Sequence, residues 1–158
     1  MTRIIRDQET VRRWGADILK SKGMDREKRF MQHGDISCYR HSLRVASRSV
    51  RLARWLRLKA DMRALVRGAL LHDYFLYDWH EKDASHKWHG FHHPAAALRN
   101  ASADFGLSLR ERDVIAKHMF PLTLKPPRFR ESWIVCLADK WCALEETLAV
   151  RLGLTLKE

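Results

Sequence analysis

In nearly every segment from residue 7 to residue 151 the apolar positions recur three and four apart, the period of a helix. No run alternates in the manner of a half-buried strand. Val11, Trp14 and Ile18 mark the inner face of a first helix over 7–22, with Gly23 as its stop. A short helix over 25–32 ends at Gly34. Asp35 or Ser37 then caps a helix over 37–57, whose inner face holds His41, Val45, Ser49, Leu52 and Leu56. The next helix, 60–73, has Leu65, Val66, Ala69 and Leu70 on one stripe. Residues 74–91 (YFLYDWHEKDASHKWHGF) lack a clear period and read as an aromatic loop or lid containing His80, His86 and His89. Pro94 suits the first position of a helix over 94–104. Ser108 and Glu111 form a capping box that starts a helix over 108–119. Three prolines make 120–128 irregular, and a last helix spans about 130–151. The pattern predicts an all-α bundle of about five core helices plus a leading helix. At 158 residues it is expected to form a single domain.

Several of the apolar stripes contain polar residues. His72 and Asp73 lie seven residues after Leu65 and Val66, so both continue the stripe and point inward. A buried carboxylate is costly unless something positive pairs with it, and a metal ion supplies that charge. His41 shares the face of Val45 and Ser49, and His118 follows Val114 by four. Asp139 interrupts an apolar run between Val135 and Cys142. His93 sits at the cap before Pro94, with His92 as the alternative; His89 lies nearby and is expected to line the pocket. Taken singly, each is an ordinary core histidine or helix-end residue. Together, His41, His72-Asp73, His93, His118 and Asp139 are separated by 31, 20, 25 and 21 residues, about one helix and loop each. Such spacing brings one ligand group per helix to a common centre. Imidazole with carboxylate suits Fe, Mn, Zn, Co or Ni, and no thiolate is placed for a softer site. Six candidates exceed what one closed tetrahedral site needs, which favours an open or two-metal site.

Charge and cysteine content add less. Much of the net charge of +11 comes from Arg40, Arg44, Arg48, Arg51, Arg54 and Arg57 on one helix, the first four on a single face. That face is either solvated or attractive to a polyanion or phosphorylated ligand. No aromatic residues interleave with it in sequence, so nucleic acid is possible but unspecified. Cys38, Cys136 and Cys142 show no paired spacing. With an N-terminus lacking an apolar stretch, they lead us to expect a reducing cytoplasm and no membrane span.

The order His41 … His72-Asp73 … Asp139 resembles the HD domain superfamily of metal-dependent phosphohydrolases. His93 and His118 resemble the additional ligands of its binuclear branch. Local texture agrees at Arg40–Ala46 (RHSLRVA), Leu70–Asp73 (LLHD) and Leu137–Lys140 (LADK), and the likeness covers roughly 35–146. It implies one metal held by His41, His72, Asp73 and Asp139, with Asp73 bridging to a second held by His93 and His118. It also implies a metal-activated water, with Asp73 and Lys140 in the catalytic set. Arg44, Lys117, Lys125 and Arg128 are the implied phosphate contacts, with His89 and His92 also facing substrate. Tyr74-Phe75-Leu76 follows the HD pair where cyclic-di-GMP phosphodiesterases carry Gly-Lys, and no GYP motif or nucleotidyltransferase domain is present. The expected activity is hydrolysis of a small phosphate ester, a nucleotide or a dinucleoside polyphosphate. The alternatives are a non-catalytic, metal-stabilised module whose basic face binds RNA or an acidic partner, and a di-iron oxygenase. The oligomeric state is open.

Overall fold

A computed structural model describes residues 3–33, 36–77 and 89–154. Among these are α1 (Arg3–Leu19), α2 (Lys22–Glu27), α3 (Cys38–Trp55), α4 (Met62–Leu71), α5 (His89–Asp104), α6 (Leu109–Lys117) and α7 (Arg130–Leu152). A two-stranded antiparallel ribbon, β1 (Met31–His33) with β2 (Ile36–Ser37), joins α2 to α3. Among the described residues the protein is therefore all-α apart from that ribbon, as its periodicity predicts. No helix among the described residues is long and apolar enough to cross a membrane.

The bundle is built around α4. Every residue from Ala64 to Leu71 is buried, and the helix packs against α1, α3, α6 and α7. Its start is fixed by Asp61, whose carboxylate accepts the Ala64 N–H at 3.0 Å. Ser37 caps α3 in the same way, and Ser108 with Glu111 makes the expected reciprocal box on α6. Each such cap is worth about 1 kcal/mol. Because α4 is covered on all sides, its C-terminal end, where His72 and Asp73 stand, is placed in the protein interior.

The structure corrects the sequence reading in three places. Gly23 does not stop the first helix: α1 ends at Leu19, and Gly23 lies inside α2, which Ser21 caps. Its role is steric, since a Cβ there would lie 1.5 Å from the Tyr74 hydroxyl. The expected helix 25–32 is replaced by α2 and strand β1, a pairing too short to leave an alternating signature. Pro94 is not a first helical position; α5 begins at His89 and runs through Pro94. Only the hydrogen bond to the Gly90 carbonyl is forgone there, in the first turns. His80 and His86, and the possible cap Asp35, lie outside the described residues.

The arginine-rich face of α3 is largely satisfied by this chain's own carboxylates. Arg44 and Arg48 meet Glu145 of α7 at 3.0 and 2.7 Å, and Arg51 and Arg54 meet the buried Asp7 of α1 at 3.4 and 2.6 Å. Much of that positive charge is thus spent on clamping three helices together.

Candidate metal centre

Five helices or helix ends converge on one point. His41 comes from the first turn of α3, His72 and Asp73 from the end of α4, and His93 from α5. His118 caps α6, and Asp139 lies midway along α7. All six are buried. His93 joins the cluster while His92 is exposed on the helix surface, which separates the two candidates that sequence left open.

The six residues divide into two groups around Asp73. Its Oδ2 lies 3.4 Å from His72 Nε2 and 3.8 Å from His41 Nε2. Asp139 Oδ1 lies 3.5 Å from His72 Nε2 and 3.0 Å from His41 Nε2. Asp73 Oδ1 faces the other way, 3.2 Å from His93 Nε2 and 3.4 Å from His118 Nε2. Two donors each about 2.1 Å from one cation stand ~3.0 Å apart at a right angle and ~3.4 Å apart at the tetrahedral angle. The spacing therefore matches ligands to shared cations. Two triads, His41–His72–Asp139 and His72–Asp73–His118, each bring their donor atoms within 4.8 Å of one another.

Outer contacts aim the rings. His72 Nδ1–H donates to Ala69 O at 2.7 Å and His118 Nδ1–H to Ile115 O at 2.9 Å. His41 Nδ1 is 2.8 Å from Glu146 Oε2. With Nδ1 committed to an acceptor, each ring presents Nε2 to the centre, as metal-ligating histidines do. Gln32 Nε2 donates to Asp73 Oδ2 at 2.6 Å, and the Cys38 thiol to Gln32 Oε1 at 3.4 Å. Two central atoms, His72 Nε2 and Asp73 Oδ1, are buried with no hydrogen-bond partner among the described residues. Orphaned donors in a ring of imidazole and carboxylate fit a divalent transition metal.

The electrostatics agree. Burial pulls the His41 imidazole down, but hydrogen bonds to Asp139 and Glu146 more than offset it and raise the ring to about 9. His72 also goes up despite burial, because Asp73 and Asp139 face it. His118 goes down, through burial and the neighbouring His72 and His93. Burial pushes both aspartates up, yet the imidazoles hold Asp73 and Asp139 below the ordinary carboxylate range. The His41–His72 side is thus a strong attractor for positive charge.

Glu146, Gln32 and Glu27 escaped the sequence reading. Glu146 is seven residues after Asp139 on α7, the same inward stripe, and that spacing was the available signal. Gln32 sits on a strand with no periodic signature. Glu27, at the end of α2, is fully buried with both carboxylate oxygens unpartnered among the described residues. Burial, and then the charge of Asp73, push its pKa well up. Replacing Glu146 with glutamine keeps the shape but removes the charge behind His41, and should weaken binding of one metal about 10–100-fold. Metal titration followed by calorimetry measures it; unchanged affinity would show that His41 needs no such support.

Glu27 yields a pH-dependent prediction for metal-stripped protein. A carboxyl whose folded pKa is raised stabilises the fold fully below its unfolded pKa, near 4.3. That stability is lost as pH rises toward the folded value. Melting temperature should therefore fall from pH 5 to pH 8 in the wild type, and Glu27→Gln should remain several degrees higher at pH 8. Equal curves for the two proteins would mean that Glu27 is well partnered.

The expected phosphate contacts are more dispersed than the ligands. Arg44 is held by Glu145 and Glu146, its Nε 3.0 Å from Glu146 Oε1, and so stands behind His41. Lys117 pairs with Asp113 at 2.6 Å. Arg128 lies over Phe129 and lines a separate cavity of about 360 Å³ with Lys59, Arg110 and Arg130. Lys125 is exposed, and His89 begins α5. Lys140 donates to His118 O at 2.9 Å and so stays beside a ligand residue.

A helical bundle that gathers four imidazoles and two carboxylates from successive helices has the make-up of a metal-dependent hydrolase. A family model, the HD domain, matches residues 38–144, and the chain belongs to that family, within the HD superfamily of metal-dependent phosphohydrolases. No curated protein and no solved structure matches the chain.

Proposed function

We propose that this protein hydrolyses a small phosphate ester or phosphoanhydride, such as a nucleotide or dinucleoside polyphosphate, at a two-metal centre. The observation that supports this most is the division of Asp73, with one oxygen toward His41 and His72 and the other toward His93 and His118. His41, His72, Asp139 and Asp73 Oδ2 would hold one divalent ion; His93, His118 and Asp73 Oδ1 would hold the other. Two such cations supply a water of lowered pKa and positive charge for the phosphoryl oxygens. The residues supply the setting. Glu146, Ala69 O and Ile115 O fix the ring orientations, so donors are in place before substrate arrives. Burial keeps the local dielectric low, which strengthens each charge contact. Lys140, anchored to His118 O, would supply an ammonium beside the centre for a phosphate oxygen. Arg44 acts from behind, holding Glu146 against His41.

The test is metal content per chain for protein purified without added metal, followed by a screen of nucleotides and dinucleoside polyphosphates. Two equivalents of a transition metal, with turnover lost on chelation and restored by metal, are expected. Protein that neither carries metal nor takes it up would overturn the reading.

A further inference from the structure

The outer face of α7 is apolar in a way the metal centre does not require. Inward, Ile134, Val135, Ala138, Cys142 and Ala149 belong to the core. Outward, Trp133, Leu137, Trp141, Leu144, Leu148 and Leu152 are each 46–67 % exposed. At 100° per residue these six fall within an arc of about 100°, so they form one continuous stripe ~28 Å long. A helix apolar on both sides is normally covered on both sides. Isolated exposed leucines need no explanation, but a contiguous stripe with two tryptophans marks an interaction surface.

We infer that this stripe is the interface of a two-fold symmetric dimer, with α7 packed antiparallel against α7 of a second copy. The spacing of the six residues is 4, 4, 3, 4 and 4, which reads the same from either end. A two-fold axis passing between Cys142 and Ala143 therefore lays the stripe on itself. Trp133 meets Leu152 of the second copy, Leu137 meets Leu148, and Trp141 meets Leu144. Such self-complementarity is what an isologous interface needs. The one charged residue of α7 inside the arc between Trp133 and Leu152, Arg151, lies at its edge, and Trp141 is flanked by both Arg48 and Glu145, so the stripe does not select a partner of one charge. At the exposures given, it offers roughly 600 Å² per copy, about 1,200 Å² in all, the lower bound of a standard specific interface. The longest stretch of this chain outside the described residues, 78–88, has two large apolar residues, Trp79 and Trp88, among charged ones and cannot match six.

Light scattering on the full chain at micromolar concentration tests the state. The wild type is expected at twice 18.6 kDa, and Leu144→Arg, which sets a charge at the axis, at the single-chain mass. The variant should keep its helical circular dichroism and metal content, since Leu144 touches neither core nor ligands. Cross-linking tests the arrangement independently, because the native cysteines are buried. Mixing Leu137→Cys protein with Leu148→Cys protein should give a disulfide-linked pair, and neither alone should. A single-chain mass for the wild type, an open series of oligomers, or Leu137→Cys cross-linking to itself would overturn the proposal.

Discussion

Asp73→Ala should empty both metal positions in one step, because its two oxygens face two different histidine pairs. A ligand on one side only should behave differently: His118→Ala is expected to lose one equivalent and keep the other. Without Asp73, the nitrogens of His93 and His118, 2.8 Å apart, also lose the carboxylate that neutralises a shared cation. Loss of the metals removes several kcal/mol of charge stabilisation, so hydrolysis should fall about 10³-fold or more. Elemental analysis of the two variants side by side is the decisive comparison. An Asp73→Ala protein that retained two equivalents would show that the carboxylate does not bridge.

Gly23→Ala should have the largest effect on stability. The added methyl carbon would stand 1.5 Å from Tyr74 Oη and 2.2 Å from its Cζ, distances no rotamer can absorb. Tyr74 is fully buried and donates to Asp104 at 2.8 Å, so it must leave its slot or push α2 away. Overpacking costs ~1–3 kcal/mol and the broken hydrogen bond ~1 kcal/mol more. A fall in melting temperature of roughly 10 °C follows for a chain of this size. Tyr74 directly follows Asp73, so the disturbance should also weaken metal binding. Gly106→Ala is the control, because a Cβ there meets nothing within 4 Å. If both variants melted alike, the close approach of α2 to Tyr74 would carry no weight.

Helical periodicity was enough to place His41, His72, Asp73, His118 and Asp139 on inward faces, because each extends a stripe of apolar neighbours. His93 was singled out from His92 by its place before Pro94, although Pro94 read as a helix start and α5 in fact begins at His89. Gly23 looked like a stop because a glycine needed for close approach and one needed for termination are the same letter. The arginine face was misleading for a different reason. Its partners Asp7 and Glu145 are 47 and 97 residues from Arg54 and Arg48, beyond any local pattern. Glu27 and Gln32 enter the centre from a short helix and a ribbon, elements too brief to establish a period.

The bonds from His72 and His118 to carbonyls three residues back have a consequence for how the chain tolerates change in length. Those carbonyls belong to the last turns of α4 and α6, whose final acceptors have no partner in the helix itself. Each ring thus completes the end of its own helix while it faces the centre. One residue inserted within either helix would swing its histidine about 100° around the axis and break both roles together. The same residue inserted at an exposed position between Leu122 and Lys125, which no ligand-bearing helix spans, would leave every donor where it is. Length is thus free to drift in the connections and locked within the helices that carry ligands.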